Sequence, residues 1–159
     1  MMAIYDHIHD PKGVRVCSKR QGHNVVLTAD LNEIFVDNYD CLVILGGLSP
    51  EFLVMDEKVM SLVKEFTNKK KIVSGIGQGK LLPVAAGLLQ GKRCASNSAV
   101  KAIVKVSGGL VESVEAVANG ELLIASGWPA LSHQRLKEQG GGEVVGKGLE
   151  EEEEEEGGG

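Results

Sequence analysis

An α/β domain with a mostly parallel sheet is the fold class this sequence predicts, and three observations point there. The chain of 159 residues is 43% hydrophobic yet only 4% aromatic. Its core therefore rests on Val, Leu, Ile and Ala, the composition of strands covered by helices on both faces. Two short apolar runs, at residues 41–45 (CLVIL) and 71–74 (KIVS), each end at glycine. Between them lies a stretch of helical periodicity, and strands alternating with helices call for right-handed crossovers. The length suits one domain with a real core.

Residues 1–21 mix polar, glycine and proline signals and specify no clear element. Residues 24–29 (NVVLTA) read as a short strand, and Asp37-Asn38-Tyr39-Asp40 as a turn. The run at 41–45 is a central strand. Ser49-Pro50-Glu51 reads as a helix start, with Ser49 as N-cap and Pro50 in the first position. Asp56 caps the next helix, where Val59, Met60, Leu62, Val63 and Phe66 fall on one stripe. The strand at 71–74 leads into the glycine-rich turn Gly75-Ile76-Gly77-Gln78-Gly79, and a small-residue helix follows from 80 to about 90. Pro83 is tolerated because it lies in the first turn. Cys94 to Asn97 reads as a strand or strand end, and 98–106 as a helix stopped by Gly108-Gly109. Residues 111–118 and 121–125 flank Asn119-Gly120, a hairpin signal that adds an antiparallel flap or edge.

The net charge of −5 conceals two regions. Glu150 to Glu156 are seven consecutive glutamates, and removing those seven charges from −5 leaves +2. A like-charge block of that length repels itself, so 139–159 is expected to be a disordered Gly/Glu-rich tail behind a domain at 1–138. The near-neutral remainder has no nucleic-acid footprint, Lys69 to Lys71 reading as a solvated helix end. No apolar run reaches the roughly 18 residues of a membrane span. The opening MMAIYDHIHD lacks the basic and apolar regions of a secretory leader, so a cytoplasmic location is expected, with the nucleus as the alternative. Cys17, Cys41 and Cys94 form no CxxC pair and read as reduced thiols, Cys41 and Cys94 as small core residues. His7, His9 and Asp10 form an HxHD cluster without the further ligands a metal site needs, and no cofactor or metal is expected.

In a sheet of this kind reactive groups gather where strand C-termini meet helix N-termini. Two junctions qualify, Leu45-Gly46-Gly47 and Ser74-Gly75-Ile76-Gly77-Gln78-Gly79. Around them run the blocks DNYDCLVILGGLSPEFLVMDEKVMSLVKEF, KKIVSGIGQGKLLPVAAGLLQGKRC and NGELLIASGWP, with IHDPKG and KRQGHNVVLTA upstream. In that order they resemble the DJ-1/PfpI proteins of the class I glutamine-amidotransferase-like superfamily, most closely their plant members.

The resemblance implies a three-layer, flavodoxin-like sandwich that is incomplete relative to the family, an N-terminal strand-helix-strand unit being missing. It also implies a catalytic turn of the form Ile-Cys-His-Gly, and here the matching residues are Ile76, Gly77, Gln78 and Gly79. Glycine cannot attack, and glutamine does not exchange a proton near neutral pH. The family's Pro-Gly-Gly-Arg reads Leu45-Gly46-Gly47-Leu48, and the family's glutamate on its first strand has no equivalent here. No catalytic residue is expected, and Gly46, Gly47, Gly77 and Gln78 remain as the remnant of a binding site.

The function so implied is a catalytically inactive scaffold or regulator. A parallel edge left open by the missing unit invites pairing with another chain, so a homo-oligomer or a related DJ-1/PfpI chain is the expected partner, and neither nucleic acid nor membrane. Three alternatives stand beside it. One is residual family enzymology of the glyoxalase III, protein deglycase or intracellular cysteine peptidase type. Another is a small-anion module on residues 75–80, although a P-loop needs glycine where Ser74 stands and a hydroxyl where Leu81 stands. The last is a fragment from a truncated gene model. Ser74 reads as a strand end, and Trp128 as a packing residue at the cleft rim.

Overall fold

The computed structural model describes residues 2–4, 15–17, 24–26, 28–96, 98–127 and 144–145. Its main sheet has six strands: β1 (Met2–Ile4), β4 (Cys41–Ile44), β5 (Ile72–Ile76), β9 (Leu122–Ala125), β8 (Ala116–Asn119) and β10 (Val144–Val145), in that spatial order. β1, β4, β5 and β9 run parallel, while β8 and β10 are antiparallel to their neighbours. Two small two-stranded sheets stand beside it, β2 (Arg15–Cys17) with β3 (Asn24–Val26) and β6 (Arg93–Ala95) with β7 (Leu110–Glu112). The architecture is a mixed α/β fold with a mostly parallel sheet in a flavodoxin-like layout.

Alternation along the strands sorts side chains to two faces. Leu42, Ile44, Val73, Leu122 and Ile124 share the main core with the helices. Val43, Leu45, Ile76, Ala116 and Ala125 form a smaller cluster from the alternate positions. Helix α2 (Glu57–Asn68) supplies Val59, Leu62, Val63 and Phe66 to the main core, the stripe expected from its spacing, with Met60 at its margin. Asp56 caps that helix as expected, its Oδ1 accepting from Lys58 N at 2.9 Å and Val59 N at 3.0 Å.

Several elements depart from the expectation. Ser49 is not the cap of α1 (Ser49–Leu53). Leu48 holds that position without a side-chain bond, and Ser49 lies inside the first turn. The helix after the glycine turn is shorter than its small residues suggest. α3 spans Leu81–Ala85, and Gly87 at φ +73 ends it, with Leu88 N donating to Pro83 O and Gly87 N to Val84 O. Residues 111–118 do not make one strand. A bend at Ser113–Glu115 divides them, so that β7 pairs parallel with β6 and only β8 enters the hairpin with β9. That hairpin lies within the main sheet, because β9 pairs with β5.

Helix α4 (Ser98–Val106) matches its expected bounds and closes on Gly108 and Gly109. Inside the stretch read as a tail, Val144–Val145 pairs with β8. The remainder of that stretch lies outside the described residues, as do His7, His9, Asp10, His23, His133 and Trp128-Pro129. Among the described residues no helix is long and apolar enough to cross a membrane.

Lys69 to Lys71 do more than solvate a helix end. Lys69 reaches Asp37 at 2.8 Å and Glu65 at 3.1 Å. Lys71 Nζ donates to the carbonyl oxygens of Val36 (2.8 Å), Asp37 (3.2 Å) and Tyr39 (2.5 Å). The tight turn that precedes β4 is thereby tied to the start of β5.

Candidate functional site

The site is the bend after β5. This strand continues two residues beyond Ser74, through Gly75 and Ile76, so Ser74 is a mid-strand residue rather than a strand end. It is buried, its Oγ meets no hydrogen-bond partner among the described residues, and it does not stand at the bend. The chain then turns sharply at Gly77, φ +56, into a 3-10 turn over Gly77–Lys80 that leads directly to α3. A left-handed residue between a strand and a helix is the geometry that presents a side chain at the mouth of an α/β cleft.

Close backbone packing makes the bend possible. A Cβ on Gly79 would overlap the carbonyl of Ile44, and one on Gly75 would come within 2.9 Å of Lys80 Cα. A Cβ on Gly46 would lie 2.9 Å from Ile76 O and 3.4 Å from Gln78 N. Gly46, two residues beyond β4, and Gly77-Gln78 after β5 therefore meet. Gly47, φ +89, faces open space.

Gly77 itself is not crowded. A Cβ there would have Ser126 O at 3.8 Å and Gly46 Cα at 4.0 Å as its nearest neighbours. The side-chain position is thus sterically available, and what borders it is backbone. Ser126 was not singled out by motif. It arrives because β9 pairs with β5 in the register Ile76↔Ala125, which sets the next residue of each strand side by side. The strand-end rule applied to β9 was the signal that could have found it. Its amide donates to Glu115 O at 2.7 Å, bringing the 113–115 bend to the same rim.

Lys80 closes the turn with its side chain directed inward. Its side chain is fully buried, and Nζ donates to Ala95 O at 2.8 Å. Burial pulls its pKa down to about 8, with the neighbouring Cys94 acting in the other direction. Cys94 is also fully buried, its Sγ 3.5 Å from the same carbonyl, and burial pushes its thiol up. Cys41 is half-buried within β4, short of full core burial. None of the four histidines falls among the described residues, where no group of three or more His, Cys, Asp or Glu is placed to hold a metal.

The profile of the DJ-1/PfpI family matches residues 7–137. This chain belongs to the DJ-1/PfpI family. Three Arabidopsis thaliana relatives match it, DJ-1 protein homologs E and F and protein DJ-1 homolog D, at 47%, 43% and 36% identity. The match to homolog E covers 78% of this chain and 31% of the relative. The chain thus spans about a third of the length of these plant relatives, and it is a plant-type member of the family. Deglycase TK1284 of Thermococcus kodakarensis is 29% identical over 64% of this chain and 61% of its own. Among solved structures, the ThiJ/PfpI domain protein of Brachyspira murdochii superposes with a TM-score of 0.66 at 26% identity, covering 71% of this chain and 65% of that one.

Proposed function

We propose that this chain is a DJ-1/PfpI domain without the covalent chemistry of its family, working through binding and assembly. The observation that carries the reading is Gly77. The bend keeps its left-handed turn and an open side-chain position, while the residue there contributes only hydrogen. Gln78 beside it cannot serve as a general base near neutral pH. Among the described residues no neighbouring cysteine or lysine takes over. Cys94 is sealed in the core with a raised pKa, and the Lys80 ammonium is committed to Ala95 O.

The same commitment of Lys80 weighs against an anion site on residues 75–80, since the cation such a site would use faces inward. Relatives named as deglycases point to small carbonyl compounds as the substrates to try first. The purified chain should consume methylglyoxal no faster than buffer does. Turnover that survives rigorous purification, or a covalent adduct mapped to residues 76–79, would overturn the reading.

A further inference from the structure

We propose that this chain associates head to tail with a second copy of itself. The face of α1 that carries Leu48, Phe52 and Met55 would seat on the face of α4 and β7 that carries Ile103, Val106 and Leu110. The proposal deepens the reading of a domain that acts through assembly, and it rests on that reading.

Two observations lead to it. The first is clustering. Of the eight large apolar side chains most exposed among the described residues, six fall into these two groups. Phe52, Met55 and Val106 are 70%, 81% and 90% exposed. Leu48, Phe52 and Met55 follow one another at helical spacing along one face of α1 and its C-terminal turn. Ile103 and Val106 share a face of α4, and Leu110 opens β7, which packs on that helix. Single exposed apolar side chains are ordinary, but patches of this kind mark contact surfaces.

The second observation is charge, which names the occupant. The α1 patch is flanked by exposed Glu51 and Glu57 and by the capping Asp56, while its neighbour Lys58 is directed to Asn32 Oδ1 at 3.1 Å. The α4 patch is flanked by exposed Lys101 and Lys105. Leu110 also bonds through its amide to the carbonyl of Lys92, and the nearby Glu112 lies 3.7 Å from Arg93. Each patch would repel a copy of itself and attract the other. A two-fold contact through either patch alone is therefore disfavoured. Two copies related head to tail satisfy both, and each still leaves one face open for a further copy.

Light scattering on the full chain over a concentration series tests this. The expected result is mass above the monomer that falls as salt screens the rims. Phe52→Glu blocks one face and Val106→Glu the other. Each alone should weaken self-association by about thirtyfold or more. Mixed together they should form a dimer and nothing larger, because one intact face remains on each partner; that dimer also shows both variants to be folded. Glu51→Lys should weaken the contact about tenfold, and adding Lys105→Glu in the same chain should restore it. A monomer at all concentrations, a mixture that stays monomeric, or sensitivity to the α1 variants alone would overturn the proposal. The last outcome would indicate a two-fold contact, and capture of a different protein by either face would also count against it. Methylglyoxal turnover in the same samples is an independent readout. Assembly with turnover removes only the silent-domain reading, and monomers without turnover remove only this contact.

Discussion

The ammonium of Lys80 donates to the carbonyl oxygen of Ala95 at 2.8 Å from a side chain with no exposed surface. Burial lowers its pKa from 10.5 to about 8. Between those values the unfolded chain holds a proton that the folded chain has released, so stability rises with pH across that window and is lowest below it. Cys94 acts oppositely, because its raised thiol makes the unfolded chain lose its proton first above 9.0. The net expectation is a gain on the order of 1 kcal/mol between about pH 8 and 9, levelling off beyond. Urea melts of the native chain and of Lys80→Met check this. A slope that survives in the variant would rule Lys80 out as its source.

Gly79 and Gly77 sit two residues apart and should respond very differently to alanine. At Gly79 a methyl group meets the fixed carbonyl of Ile44, so Gly79→Ala should cost about 3 kcal/mol or more. At Gly77 the space is open, and only the left-handed conformation opposes the side chain, at about 1–2 kcal/mol. Thermal midpoints in the reverse order would mean that the bend is packed otherwise.

Lys71 gathers the carbonyls of Val36, Asp37 and Tyr39. Lys71→Met should remove about 2 kcal/mol by leaving these oxygens without their cation. Its neighbour Lys70 is exposed at φ +55, a conformation glycine adopts freely. Lys70→Gly should therefore stabilise by about 1 kcal/mol. Denaturant midpoints of the two variants should move in opposite directions.

Cys94 should resist iodoacetamide in the folded protein and react once the chain is unfolded, since burial both shields the thiol and disfavours its thiolate. Peptide mapping after native and denatured labelling reads this directly. Rapid native labelling of Cys94 would require local opening around Ala95.

Much of this structure is legible in the chain because local chemistry and tertiary packing agree there. Asp56 caps where its side chain predicts, the Val59 to Phe66 stripe faces the core, and α4 stops at its glycines. The bend at Gly77 follows from a strand running into successive glycines, whereas its meeting with Gly46 is set by the pairing of β4 with β5. What escaped depends on contacts distant in sequence. Residues 111–118 alternate well enough for one strand, and only the competing partners β6 and β9 divide them. Lys71 reads as part of a solvated helix end and Lys80 as part of a small-anion turn, yet each is drawn to carbonyls supplied by another segment. Ser126 lies in the NGELLIASGWP block without being marked as a site residue, and register brings it to the bend.

The parallel pairing of β5 with β9 joins Val73 to Leu122, about fifty residues further along the chain, and β4 with β5 joins Cys41 to Ile72 across about thirty. Neither ladder can zip from a local turn, so each must await closure of a long loop whose entropy opposes it. The β8–β9 hairpin is free of that constraint and can form early, leaving the parallel edge of β9 as a template. Refolding should accordingly be slow, on the scale of milliseconds to seconds. Sequences that weaken the Asn119-Gly120 turn should delay it, with little change in the rate of unfolding.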